Sequence, residues 1–122
     1  MLRLSMSVAA ALLAAQSLTA GLFLSGEMSA FDLHREMATA AGIVILIGVV
    51  FGALCARLRG ESWKPTLWGI GLLALMSLQA FAGFRSLTVL HIPLGVATIL
   101  AGVWVTWRVW RAPASLVLPC PR

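Results

Sequence analysis

Charge is what this chain has least of. Only 11% of its 122 residues are charged, against about 25% in a soluble globular domain, and that deficit excludes a water-soluble globule. Cysteine is scarce too. Cys55 and Cys120 are the two present, far apart in sequence and without the spacing of a disulfide framework or a metal site. Cys55 falls inside an apolar run, where it reads as a small packing or lipid-facing residue. Cys120, in Pro119-Cys120-Pro121-Arg122, lacks the C-a-a-X context for prenylation. No nucleophile–base pair and no phosphate-binding loop is legible, so nothing in the sequence argues for an enzyme. Histidine is limited to His34 and His91.

What is abundant is apolar sequence in blocks: 61% of residues are hydrophobic, arranged as runs rather than stripes. About 20 apolar residues span a bilayer, and four such runs account for most of the chain, leaving no room for a soluble domain. The first covers about residues 4–24. A signal peptide would have a basic start followed by an apolar region of about 7–15 residues. This run is longer and has no clean A-x-A site, so it is expected to be a retained membrane helix. Ser29 followed by Asp32 fits a capping box and predicts a second helix from Ala30 to about Cys55. The segment Arg57 to Pro65 is short and basic, with the proline suited to a helix first turn. A third helix is expected over about residues 66–84 and a fourth over about 90–111. Pro93 is expected in the first turn of that fourth helix, where no backbone N–H is needed. The expected architecture is an all-α, four-helix transmembrane bundle of two tandem helical hairpins over residues 1–111, with an irregular tail over residues 112–122.

The net charge of +5 does not indicate nucleic acid, because the basic residues cluster where helices end rather than on one amphipathic face. With the N-terminus inside, Arg3, Arg57, Arg59, Lys64, Arg108 and Arg111 fall on the cytoplasmic side, and only Arg35 and Arg85 fall outside. That is a strong positive-inside bias. Trp63, Trp68, Trp104, Trp107 and Trp110 lie toward the same cytoplasmic ends, as an interfacial belt should. The expected topology is N-in, C-in, in the cytoplasmic membrane, with the lipid bilayer as the principal partner.

His34 and His91 then start helices two and four, which run in the same direction. Both imidazoles lie at the extracytoplasmic face and at similar depth. Ionisable side chains in membrane helices are costly and point to function. Below His34, steps of three and four reach Ala38, Ala41, Gly42 and Ile45. Below His91 they reach Gly95, Thr98 and Gly102. Small residues let membrane helices approach closely; they also leave a flat slot suited to a planar macrocycle, with the imidazoles as an axial pair for haem iron. The plainer reading is ordinary helix packing with two solvated interfacial histidines. Arg35 and Arg85, on the same side, suit haem propionates. Arg35 equally suits Asp32 or a lipid phosphate, and Arg85 an interfacial loop. Gln16 and Gln79 each precede an Ala-Gly pair and then the histidine of their half, which reads as a weak tandem repeat. Each amide is expected either to fix a histidine tautomer from outside the metal's own ligand set or to bond across helices.

The segments Q-S-L-T-A-G-L-F, F-D-L-H-R, L-Q-A-F-A-G-F and L-H-I-P-L-G resemble a group of small four-helix bacterial membrane proteins. They also resemble one four-helix half of haem A synthase and, more loosely, other b-type cytochrome bundles. The resemblance covers the chain up to Arg111 and implies haem b bound by His34 and His91, which match the haem-ligand histidines near the outer ends of the second and fourth helices. Ala30 stands where haem A synthase has a glutamate four residues before a haem-ligand histidine, and there is no second four-helix half, so oxygenation of a haem methyl group is not implied. Two functional expectations follow: a haem b protein carrying electrons or sensing redox state, as a homo-oligomer or with a membrane-protein partner; or a cofactor-free scaffold or accessory subunit of a larger membrane complex.

Overall fold

The computed structural model describes residues 1–112; Cys120 and the remainder of the tail lie outside the described residues. Four helices follow one another: α1 Leu2–Leu24, α2 Ser29–Arg59, α3 Lys64–Phe84 and α4 Thr88–Arg111. All four are long and apolar enough to cross a membrane. In a bilayer every backbone polar group must be satisfied within the protein, which a helix does along its whole length. The Leu-, Ala- and Met-rich runs also favour helix intrinsically. The chain is a multi-pass, all-α membrane protein.

Each helix packs against two others: α1 against α2 and α4, and α3 against α2 and α4. The pairs α1/α3 and α2/α4 therefore face each other across the diagonals of the bundle. Short turns make every helix antiparallel to the one before it, so the start of α1 and the end of α4 meet at one end of the bundle. There the Arg3 Nη2 donates to the Ala112 carbonyl at 2.8 Å, and the Trp110 Nε1 donates to Ser7 Oγ at 3.0 Å.

The core is built at helical spacing. Leu2, Met6, Ala9 and Leu13 from α1 meet Ala41, Ile45 and Val49 from α2, Leu72 and Met76 from α3, and Val105 and Val109 from α4. Glycines set how close the helices come. A Cβ on Gly48 would lie 2.7 Å from the Met6 Cε, and one on Gly102 would lie 2.9 Å from the Leu13 Cδ1. Side chains of α1 thus seat directly on the glycines of α2 and α4, the close packing that small residues allow membrane helices. The opposite faces carry exposed leucine, isoleucine, valine and phenylalanine along their whole length. In water that would be a fatal apolar patch; in lipid it is the required outer surface.

Several sequence expectations are corrected at the helix ends. α2 runs to Arg59 rather than Cys55, because no breaker precedes Gly60, which closes the helix in the left-handed region at φ 66°. Ser29 is not a capping residue: the N-cap is Met28, and the Ser29 hydroxyl instead donates to Glu27 Oε1 at 2.6 Å. Pro65 occupies the first turn of α3 as expected. Pro93 does not do so in α4. The helix begins at Thr88, which puts Pro93 in the second turn and deprives the Val89 carbonyl of its usual donor four residues on. Val89 itself is exposed, near the start of α4.

Candidate functional site at the histidine end of the bundle

The diagonal arrangement of α2 and α4 brings His34 and His91 together. Their ring centres are 6.3 Å apart and the ring planes cross at 73°. Both residues are half-buried. They sit near the end of the bundle opposite the start of α1 and the end of α4, as the matched spacing of the two runs predicts.

Each imidazole is oriented from the helix that precedes its own. The His91 Nδ1 lies 2.8 Å from the Gln79 carbonyl oxygen. The His34 Nδ1 lies 3.2 Å from the Gln16 carbonyl oxygen. A carbonyl only accepts, so Nδ1 carries the proton in each neutral ring and Nε2 keeps its lone pair. This is how protein surroundings commonly hold a metal-binding histidine: Nδ1–H to a carbonyl, Nε2 to the metal. His34 has one further contact. The Thr19 Oγ1 lies 3.2 Å from its Nδ1 and also donates to the Gln16 carbonyl at 3.0 Å. With the Thr19 proton committed to that carbonyl, the hydroxyl lone pair faces the His34 N–H.

The two carbonyls are available for a physical reason. Thr19 and His34 lie on facing sides of the α1–α2 hairpin, and the imidazole reaches a carbonyl about two turns below the end of α1. In the second hairpin the approach is closer because residue 83 has no side chain. A Cβ on Gly83 would fall 2.9 Å from both Cε1 and Nδ1 of His91.

The glutamines belong to the site, but through their backbones rather than their amides. Gln16 and Gln79 are both buried, and the Gln16 Nε2 has no hydrogen-bond partner. The slot expected beneath the histidines is occupied by flexible side chains. A Cβ on Gly42 would meet the Met76 Cε at 3.7 Å, and one on Gly95 would meet the Gln79 Nε2 at 3.5 Å. Arg35 lies 3.8 Å from Asp32, three residues earlier on the same helix, with its guanidinium 5.8 Å from the centre of the Phe31 ring. Both partners of that ion pair are largely exposed, so it adds little to stability. Arg85 caps α3 by its backbone, which donates to the Phe81 carbonyl at 3.0 Å. Its side chain has no acidic partner among the described residues.

Thr19 and Gly83 are the site residues that sequence reasoning passed over. Thr19 stands three residues after Gln16, on the same helix face. Gly83 stands four residues after Gln79, in the Ala-Gly pair already noted as part of the repeat. Among the described residues no group of three or more metal-ligating side chains occurs, so the two imidazoles stand as a pair. Comparison of the chain with protein-family models, with curated proteins and with solved structures finds no match.

Proposed function

We propose that the chain is a haem b protein of the bacterial cytoplasmic membrane, with His34 and His91 as the axial ligands and with its N- and C-termini in the cytoplasm. The observation that carries this reading is the diagonal imidazole pair with both Nδ1 atoms engaged. The ring centres of His34 and His91 stand 6.3 Å apart, close enough for both imidazoles to serve one metal ion. Both Nε2 lone pairs are free of the backbone contacts that orient the rings. The donor set is the neutral nitrogen pair that haem iron takes in membrane bundles. Bound there, haem supplies one-electron chemistry. The protein's part is to hold both imidazoles as neutral ligands, to keep their orientation fixed by carbonyls, and to exclude water with the apolar bundle. The role is electron transfer or redox sensing. Room for the macrocycle would require Met76, whose unbranched side chain is adaptable, and Gln79 to move. Arg35 and Arg85 supply cations at the same end for the two propionates.

One observation favours the second reading, a cofactor-free accessory subunit of a membrane complex: Met76 and Gln79 already fill the space below the rings. An absorption spectrum separates the two. Detergent-purified protein from haem-replete cells, oxidised and then reduced with dithionite, is expected to show a Soret band and sharp α and β bands that disappear in both His34→Ala and His91→Ala. A colourless protein that takes up no added hemin sinks the haem reading and leaves the accessory-subunit reading in front.

A further inference from the structure

The end of the bundle where α1 begins and α4 ends has a chemistry of its own. Arg3, Arg57, Arg59, Lys64, Arg108 and Arg111 gather there, with Glu61 as the acid among them. Glu61 is engaged: its Oε1 accepts from Arg59 at 3.1 Å. Three of the arginines lie against tryptophan rings instead. Arg3 is 5.3 Å from the Trp110 ring centre, and Arg111 is 4.5 Å from that of Trp107. Arg108 is held by two rings from two helices, 4.9 Å from Trp68 on α3 and 5.6 Å from Trp104 on α4. Those rings pack edge to face, 5.7 Å apart, which fixes the box into which Arg108 folds.

A guanidinium against an aromatic face is oriented, yet its in-plane N–H donors stay available. Arg108 has no carboxylate and no hydrogen-bond acceptor among the described residues. Unsatisfied donors on a fixed, planar cation match two oxygens of one phosphate group. The surroundings select the source of that phosphate. Trp68 is the fifth residue of α3, and Arg108 the fourth from the end of α4, so the box lies about one turn inside the helix ends, at the depth where tryptophans meet lipid headgroups. Beside it the surface is exposed and apolar, with Leu67, Leu100 and Val103 facing outward. At Gly71, one turn from Trp68, an added Cβ would meet nothing within 4 Å. That surface suits acyl chains and not a soluble phosphate.

We infer that the Trp68–Trp104–Arg108 box at the α3/α4 contact is a binding site for the phosphodiester of an anionic phospholipid, whose chains lie along the exposed apolar surface beside it. Nothing in it depends on the histidine pair.

The test is native mass spectrometry of the full chain released from vesicles of phosphatidylcholine and phosphatidylglycerol in equal amounts. Wild type is expected to retain one phosphatidylglycerol in preference to phosphatidylcholine. Arg108→Gln is expected to lower that retention about tenfold, the worth of a charge-assisted hydrogen-bond pair. Trp104→Leu is expected to lower it about threefold, the worth of an exposed cation–π contact. Arg57→Gln, which removes an equal charge from the same end but from no aromatic box, is expected to leave it unchanged. Equal retention of the two lipids overturns the inference, as does an equal loss in Arg57→Gln and Arg108→Gln, which would mark diffuse attraction. Displacement of the lipid by millimolar inorganic phosphate also overturns it, by assigning the box to a free anion.

Discussion

The two hairpins solve one problem in two ways. In each, a histidine near the start of the second helix hands its Nδ1 proton to a backbone carbonyl of a buried glutamine on the first. In the α3–α4 hairpin the contact is 2.8 Å, and the ring fills the space beside Gly83. In the α1–α2 hairpin the contact is 3.2 Å and a threonine hydroxyl shares the proton. Counted from the glutamines, Thr19 corresponds to Ala82 and Ala20 to Gly83. Where the second hairpin gives room for a short single bond, the first keeps a methyl group and adds a second acceptor. The difference teaches that the repeated element is the orientation of the imidazole, not the side chains that produce it.

The sharpest way to break that comparison is to exchange the small residues. Gly83→Ala puts a Cβ against the His91 ring, a clash of about 1–3 kcal/mol, offset by about 1 kcal/mol of helix propensity. A net loss of about 1 kcal/mol is expected in thermal unfolding in detergent, together with loss of the Nδ1–carbonyl hydrogen bond of His91 by 15N NMR. An intact bond with an unmoved ring would refute the cradle. Ala20→Gly, which costs about 1 kcal/mol in propensity, is expected to strengthen the His34 bond to Gln16.

A smaller change is expected from Thr19→Val, nearly the same shape without the hydroxyl. It removes the bond to the Gln16 carbonyl and the contact with the His34 ring, with the ring keeping its bond to the carbonyl, so a net loss of about 0.5 kcal/mol is expected; it should move the 15N resonances of His34 while leaving those of His91 in place. Coupled shifts in both rings would show that the hairpins are not independent. In the unaltered protein, 15N spectra at neutral pH are expected to report the Nδ1–H tautomer for both histidines, with the stronger hydrogen bond at His91. An Nε2–H signal at His34 would mean that Thr19 donates to that ring instead.

The smallest effect is expected at Gln16. Its amide nitrogen is buried without a partner, which is a cost to the fold, while its contribution to His34 is made by the backbone. Gln16→Leu should therefore change stability by less than about 1 kcal/mol and leave the His34 hydrogen bond intact. A loss of that bond would restore the amide to the role expected of it from sequence.

Much of this was legible in the sequence, and unevenly so. The four spans follow from run length and charge placement, since transfer to lipid is close to additive along a helix. The helix ends were less legible: Ser29 resembles a capping residue, yet its hydroxyl turns back to Glu27. The histidine pair was legible as a coincidence of depth, because antiparallel packing forces alternate helices to share a polarity. That the rings meet was not legible, since depth says nothing of rotation about the helix axis. The glutamines pointed to the right turns of α1 and α3 for the wrong reason: a sequence displays side chains, whereas the partners are carbonyls, which every residue has. The tryptophan belt was legible as a belt, but its pairing with Arg108 joins residues of two helices and depends on how those helices are turned.

The sequence by itself determined that this chain is four membrane-crossing helices in two similar hairpins, with most of the arginine and all of the tryptophan toward one end and both histidines toward the other. Those features depend on composition along the chain and survive any rotation of the helices. Only the tertiary structure decided that α2 and α4 lie on a diagonal, that His34 and His91 turn toward each other at 6.3 Å, and that Trp68 and Trp104 close around Arg108. Rotation is set where side chains of one helix seat against glycines of another, Met6 against Gly48 and Leu13 against Gly102. Those contacts join residues too far apart in sequence for any local pattern to specify.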